Sequence, residues 1–120
     1  MPDPASPRPS RGRVAAPKIL AVGVTLLDHA SAVDSLPAAG RKRLAYAQTT
    51  VGGGMAANAA VAVARLDGNA SFWGRVGDDD IGREIAHRLA RENVDVADPR
   101  CLAGARSPVS AIIVDRGGER

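Results

Sequence analysis

A cluster of three glycines directly before an alanine-rich segment is the feature that most constrains this chain. Residues 51–58 read Val-Gly-Gly-Gly-Met-Ala-Ala-Asn, and small apolar residues continue to Leu66. Glycines at the start of a helix let a ligand approach the main chain, where unpaired N–H groups and the helix dipole favour electron-rich oxygens. The pattern therefore predicts a binding site for a polar small molecule.

Two common glycine motifs fit the cluster poorly. A phosphate-binding Walker loop ends in Gly-Lys-Ser/Thr, and Met55-Ala56-Ala57 stands there instead, so we exclude it. The dinucleotide fingerprint G-x-G-x-x-A is met by Gly52, Gly54 and Ala57. That fingerprint should follow the first strand of its domain, whereas this one comes about thirty residues after the most apolar strand candidate. A Rossmann-type dinucleotide-binding fragment stays open as an alternative.

A second run, Gly74-Arg-Val-Gly-Asp-Asp-Asp-Ile-Gly82, follows at a fitting distance. Together with the run from Gly53 to Ala60, it resembles the paired signatures of the ribokinase-like, or PfkB, carbohydrate kinases. The resemblance covers about residues 19–120. It implies an α/β fold, namely the N-terminal part of a three-layer α/β/α domain with a small β lid at roughly residues 26–50 and 107–120. Residues 51–54 and 110–120 resemble the sulfofructose kinase branch most.

The resemblance also implies which residues bind the sugar: Asp28, Gly53, Gly54 and Asn58. Asp28 follows an apolar strand, at the end where α/β sheets place ligand contacts. The amide of Asn58 offers donors and an acceptor to vicinal hydroxyls. Without the resemblance, Asp28 would be a solvated loop acid and Asn58 a helix cap.

The charge of the substrate is a separate question. If the sugar carries a phosphate or sulfonate, Arg41 or Lys42 is the expected counter-charge. Three adjacent cations at residues 41–43 are otherwise typical of a solvated turn.

The implied activity is phosphoryl transfer from ATP, with Mg²⁺, to a sugar hydroxyl. Members of the family use an aspartate in a Gly-Ala-Gly-Asp motif as the base, and no such motif occurs in residues 1–120. We therefore assign no catalytic residue and expect the ATP-binding half and the catalytic aspartate beyond Arg120. The chain is not expected to catalyse the reaction alone. A non-catalytic sugar-binding or dimerisation module is the second alternative, since lids of this family sometimes form homodimers.

Composition excludes several other classes. Of the net charge of +3, two units lie in residues 1–17, a Pro- and Arg-rich segment that we predict to be a disordered extension. The remaining body has no basic stripe with stacking aromatics, so we expect no nucleic-acid partner. It has no apolar run of membrane-spanning length and one cysteine, Cys101, so we predict a cytoplasmic enzyme without membrane contact or an internal disulfide.

Periodicity predicts the secondary structure. Residues 19–23 read as a central strand covered on both faces, and residues 55–66 as a buried helix without a polar face. Asp79 or Asp80 is predicted to cap a helix with the apolar stripe Ile81, Ile85 and Leu89, and not to bind a metal. Further strands are expected at residues 30–36, 44–51, 70–76, 94–96 and 109–115, with a helix stop at Asn93 and a loop over residues 98–108. A hairpin turn at residues 116–119 would need another strand after it, so we expect the natural chain to continue.

Overall fold

The computed structural model describes residues 17–96 and 100–120. These residues form seven strands and two helices, which confirms the predicted mixed α/β fold. Apart from Pro17, the extension predicted for residues 1–17 lies outside the described residues.

Two parallel strands and a helix form the first unit. β1 (Lys18–Val22) pairs with β4 (Asn69–Trp73), and α1 (Met55–Arg65) packs against both strands. Ala57 and Ala60 of α1 are buried in the same core as Ala70 and Phe72 of β4. Such small helix residues let α1 lie close to the sheet, so the sequence of the helix sets the distance between the two layers. α1 ends at Arg65, one residue before the predicted end at Leu66, which is its C-cap residue.

A separate sheet, here called the mixed sheet, contains β2 (Leu26–Ala32), β3 (Ala47–Gly53) and β7 (Val109–Val114). β2 lies in the middle, antiparallel to β3 and parallel to β7. The strands predicted at residues 30–36 and 44–51 are displaced, because pairing runs from Leu26 opposite Gly53 to Ala32 opposite Ala47. Pairing partners thus override the weak strand preference of Asp28 and of the glycines.

The third unit contains β5 (Arg75–Gly77), α2 (Asp80–Arg91) and β6 (Arg100–Leu102), with β5 parallel to β6. The predicted cap of α2 is confirmed at Asp79, whose carboxylate accepts a hydrogen bond from the Gly82 N–H at 2.8 Å. The apolar stripe is also confirmed, since Ile85 and Leu89 are buried. Asn93 has φ 60° and lies just past the helix, as predicted.

Several strand predictions were wrong. Residues 70–76 are not one strand: the chain breaks at Gly74, so that β4 pairs with β1 while β5 pairs with β6. β6 falls in the predicted loop, and the strand expected at residues 94–96 is reduced to one bridge between Ser71 and Asp95. These errors share a cause, because each pairing partner lies far away in sequence.

The apolar sequence of β1 predicted a strand covered on both faces, but the described part of the chain covers only one of them. Ile19, Leu20 and Val22 are 45%, 55% and 62% exposed. Among the described residues, β1 pairs only with β4 and is covered by α1 on one side. The helix α1 is likewise covered on one face only, since Met55 and Asn58 are exposed. An apolar run shows what a strand can bury, but not what is present to bury it.

A buried serine anchors the start of α2. Ser107 is 7% exposed, and its hydroxyl donates to Asp79 Oδ1 at 2.6 Å while its N–H donates to Asp79 Oδ2 at 2.8 Å. The Gly77 N–H in turn donates to Ser107 Oγ at 2.9 Å. These bonds from Ser107, together with the Gly82 N–H, lower the pKa of Asp79 from 3.8 to about 2.

We expect Ser107→Ala to destabilise the fold more at neutral pH than in strong acid, where only the loss of the bond from the Gly77 N–H remains. Because the pKa of Asp79 is lower in the folded state, its carboxylate stabilises the fold above about pH 4, and this contribution is lost as pH falls towards about 2. Without the hydroxyl the pKa of Asp79 rises towards its ordinary value, so ionisation of Asp79 contributes less to the stability of the fold. Thermal unfolding of the intact protein should show a difference between variant and wild type that shrinks from pH 7 to pH 2. Ser35→Ala is the control, and an equal difference at every pH would contradict the argument.

Candidate functional site

The glycine cluster forms the turn from β3 into α1. Gly52 and Gly53 end the strand, and Gly54 precedes the helix with φ 96° and ψ 133°. Among the described residues, no side chain caps α1. The first N–H groups of a helix have no partner within the helix, so here they remain available to a ligand or to water.

Asp28 lies directly against this turn. It is a residue of β2 and not of the loop that the sequence had suggested, and it pairs with Val51 of β3 on one side. A β-carbon at Gly53 would collide with Asp28 Oδ2 and stand 3.0 Å from its Cγ. The carboxylate therefore packs against Gly53, in a place that a β-carbon at this position would occupy. Asp28 is half-buried and able to accept hydrogen bonds from a ligand.

Gly54 lies against a different segment, the backbone just before β2. Its α-carbon faces the main chain of Val24 and Thr25, and an added β-carbon would collide with the Val24 carbonyl oxygen. The two predicted glycines thus serve different contacts: Gly53 makes room for the Asp28 carboxylate, and Gly54 makes room for the backbone that leads into β2.

Asn58 and Gly53 share a cavity of about 530 Å³. The cavity extends between α1 and α2, and its polar lining includes Arg65, Arg88 and Glu92. Asp28 does not line this cavity, although its carboxylate touches Gly53. The four predicted sugar-binding residues therefore lie around one turn, with Gly53 as the common neighbour of Asp28 and Asn58.

Ion pairs hold two of the arginines that line this cavity, Arg65 and Arg88. Arg65 binds Glu92 through two hydrogen bonds of 2.6 and 2.8 Å, which raise the pKa of Arg65 and lower the pKa of Glu92. Arg88 donates to Glu84 at 2.6 Å and to the Thr50 carbonyl oxygen at 3.0 Å. Arg88 thereby joins α2 to the edge strand β3 of the mixed sheet.

Arg41 and Lys42 lie apart from this turn. Both are exposed, and neither makes an ion pair or a side-chain hydrogen bond within residues 17–96 and 100–120. They belong to the connection between β2 and β3, which begins after Ala32. With a rise of ~3.3 Å per residue, Ala32 lies about 13 Å along β2 from Asp28. Neither residue lines the cavity beside the glycine turn, and their role as counter-charges stays a prediction.

The three successive acids Asp78, Asp79 and Asp80 do not form a metal site. Asp79 caps α2, while Asp78 and Asp80 bind the guanidinium of Arg83 at 3.3 and 2.7 Å. In the part of the chain that the structure describes, no three His, Cys, Asp or Glu side chains are grouped to hold a metal. Because these carboxylates are engaged by Gly82, Ser107 and Arg83, no chemical step is derived through a metal held by them.

The dinucleotide alternative is not supported by the topology. Gly52 lies in β3 and Gly54 and Ala57 follow it, and β3 pairs antiparallel with β2 at the edge of the mixed sheet. A dinucleotide fingerprint instead joins the first strand of a parallel sheet to its helix.

Ser110 is a neighbour of Asp28 that the sequence alone did not reveal. The parallel pairing of β2 with β7 puts Ser110 directly beside Asp28. The strand at β7 was predicted from the sequence, but which of its residues meets Asp28 depends on register, and register is set by contacts across the fold.

Comparison with known proteins gives the chain a family. A model described as the pfkB family carbohydrate kinase matches residues 16–120. A fructokinase of Klebsiella pneumoniae is 50% identical over 68 residues, which make up 57% of this chain and 22% of that protein. An ATP-dependent ribose-1-phosphate kinase of Halopiger xanaduensis is 35% identical over 85% of this chain and 34% of its own length.

Solved structures agree in fold. A ribokinase-like protein from Agrobacterium tumefaciens superposes with a TM-score of 0.81 at 41% identity, over 86% of this chain and 34% of that one. Ribokinase of Arabidopsis thaliana, solved with ribose and ATP, gives 0.74 at 27% identity, over 88% and 34%. The chain thus spans between a fifth and about a third of these relatives. No helix in the described part is long and apolar enough to cross a membrane.

Proposed function

Because the chain belongs to the pfkB family of carbohydrate kinases, we propose that it forms the sugar-binding part of an ATP-dependent sugar kinase. The observation that carries this proposal is the packing of the Asp28 carboxylate on Gly53 at the start of α1. It gives one acceptor group beside the unpaired N–H groups of a helix, an arrangement suited to a molecule rich in hydroxyls. A cytoplasmic enzyme, as the sequence predicts, belongs to the same proposal.

Each residue has a distinct role in this proposal. Asp28 accepts hydrogen bonds from sugar hydroxyls, and Asn58 donates and accepts through its amide. Gly53 and Gly54 keep the main chain close enough for the ring to reach both side chains. These contacts hold one hydroxyl in place for transfer, which lowers the entropic part of the barrier.

Phosphoryl transfer forms a bond between the sugar oxygen and the γ-phosphorus of ATP and breaks the bond to ADP. ATP supplies the phosphoryl group and Mg²⁺ neutralises charge, and both belong to parts of the site that the residues assigned here do not form. The proton of the attacking hydroxyl needs a base, and we assign none in this chain. Asp28, Asn58 and the two glycines bind and orient the acceptor.

The related proteins indicate which sugars to test. The relatives include a fructokinase and a ribose-1-phosphate kinase, and one related ribokinase was solved with ribose. A sulfofructose, or another sugar with an anionic substituent, would need a cation near its charged end. Arg41 and Lys42, which are exposed in the connection between β2 and β3, are the cations proposed for this role.

A homodimer through the mixed sheet is a further part of the proposal. Val109 and Ile113 of β7 are 55% and 42% exposed and lie on the sheet face opposite to Asp28. An apolar surface there would be buried in a dimer without blocking the sugar site. Sedimentation of the intact protein tests this part, and a monomer at all concentrations would contradict it.

The test of the sugar kinase begins with activity. The protein encoded by the whole reading frame that contains this chain is assayed with ATP, Mg²⁺ and a panel that includes fructose and ribose. We expect Asn58→Ala to raise KM for the accepted sugar about 10-fold, since it removes up to two hydrogen bonds worth ~0.5–1.5 kcal/mol each.

Asn69→Ala is the matched control, because Asn69 is also exposed but starts β4 in another part of the fold. Failure of the wild-type protein to bind or phosphorylate any sugar would overturn the proposed function. Equal KM values for the two alanine variants would remove Asn58 from the site.

A further inference from the structure

The register of the mixed sheet places a serine beside the proposed sugar-binding carboxylate. Asp28 of β2 pairs with Ser110 of β7, just as Leu27 pairs with Val109 and Ala30 with Ile112. Residues directly opposite each other point to the same face of a sheet, with β-carbons roughly 5 Å apart. Ser110 and Asp28 therefore share the face that also carries Val51.

The side chains of Ser110 and Asp28 are neighbours but form no hydrogen bond with each other within the described residues. The Asp28 carboxylate leans over Gly53, on the β3 side of β2 and away from β7. In the part of the chain that the structure describes, no hydrogen bond joins Ser110 to Asp28, and both side chains are half-buried. The Ser110 hydroxyl can donate and accept, and the Asp28 carboxylate can accept. A ligand hydroxyl between these two side chains could therefore form hydrogen bonds with both.

The chemistry of this gap selects its ligand. An ionised carboxylate only accepts, so a hydroxyl bound to Asp28 must donate its proton there. The oxygen of that same hydroxyl can then accept a hydrogen bond from the Ser110 hydroxyl, which also can accept from a neighbouring hydroxyl. One step farther along the same face, Ala30 and Ile112 provide an apolar wall.

We propose that Ser110 is a substrate-binding residue that, together with Asp28, holds one particular hydroxyl of the sugar. This inference rests on the proposed sugar kinase function and adds a specificity-determining residue to it. The ligand is a polyol or sugar whose hydroxyl can reach both β2 and β7.

The test measures binding and kinetics of the intact protein with the sugar that it phosphorylates and with analogues that each lack one hydroxyl. We expect Ser110→Ala to weaken binding of the parent sugar about 3- to 10-fold, the loss of one hydrogen bond, with kcat changed less than about 2-fold. For one deoxy analogue the variant and the wild type should bind equally, because the partner of the serine is gone. Ser110→Thr keeps the hydroxyl and should restore binding, since a β-branched residue is favoured in a strand.

Ser31→Ala is the matched control. Ser31 also lies on β2, but three residues from Asp28 and hence on the opposite face. Equal affinity of Ser110→Ala and wild type for the parent sugar would overturn the role of Ser110 and leave the sugar kinase standing. A loss of the same size for every analogue would also overturn it, because it would indicate a general structural effect. If the wild-type protein bound no sugar by calorimetry, the proposed function itself would fail and this inference with it.

Discussion

Gly54→Ala is expected to lower the free energy of unfolding by about 3 kcal/mol or more. Gly54 has φ 96° and ψ 133°, a conformation that costs a residue with a β-carbon roughly 1–3 kcal/mol. The added β-carbon would also collide with the Val24 carbonyl oxygen and stand 2.8 Å from Thr25 Cα. Both are main-chain atoms, so relief requires the start of β2 or of α1 to move. Urea unfolding of the intact protein measures the loss.

Gly52→Ala is the control for this experiment. Gly52 is two residues away in the same turn, has no positive φ, and an added β-carbon there would meet nothing within 4 Å. Its free energy of unfolding should stay within about 0.5 kcal/mol of wild type. If Gly54→Ala unfolded at the same urea concentration as Gly52→Ala, the tight turn between β3 and α1 would not be as described.

The parts of the fold that the sequence predicted depend on contacts within a few residues. The cap at Asp79, the apolar stripe that includes Ile85 and Leu89, and the left-handed Asn93 each act within one or two helical turns. The start of α1 after the glycines is equally local. Signals of this kind can be read because the residues that create them are neighbours in the chain.

The parts that the sequence missed depend on pairing across the fold. Without the resemblance Asp28 would have been assigned to a loop, but it belongs to a strand because it and its neighbours pair with residues of β3, more than twenty positions away. The predicted strand at residues 70–76 is interrupted at Gly74 because β4 pairs with β1 whereas β5 pairs with β6. The neighbour Ser110 could not be found without register, since a shift by one residue would place it on the opposite face.

The candidate site combines both kinds of information. The resemblance named Asp28, Gly53, Gly54 and Asn58, and the structure brings them around one turn although they come from two different units of the fold. Arg41 and Lys42, by contrast, were named for their charge, and charge does not say where a side chain lies. Both side chains are exposed in the connection after β2, and their role as counter-charges stays a prediction.

Gly53→Ala is expected to weaken sugar binding by roughly 100-fold while leaving most of the stability intact. The added β-carbon would occupy the place of Asp28 Oδ2. Because that atom ends a side chain that can rotate, the collision is relieved by moving the carboxylate and not the main chain. A displaced carboxylate loses its charge-assisted hydrogen bonds to the sugar, which are worth ~1.5–3 kcal/mol each. If two such bonds are lost, the affinity for the sugar falls about 100-fold or more.

Calorimetry with the accepted sugar, next to urea unfolding, separates this effect from that of Gly54. Gly53→Ala should lose affinity with only a small change in unfolding, Gly54→Ala should lose stability, and Gly52→Ala should lose neither. Asp28→Ala should bind as weakly as Gly53→Ala, and the double variant should be no weaker than either, because both act on one carboxylate. Wild-type affinity in Gly53→Ala would mean that the sugar does not need the Asp28 carboxylate where it now lies. Additive losses in the double variant would instead indicate that Gly53 contacts the sugar through its own main chain.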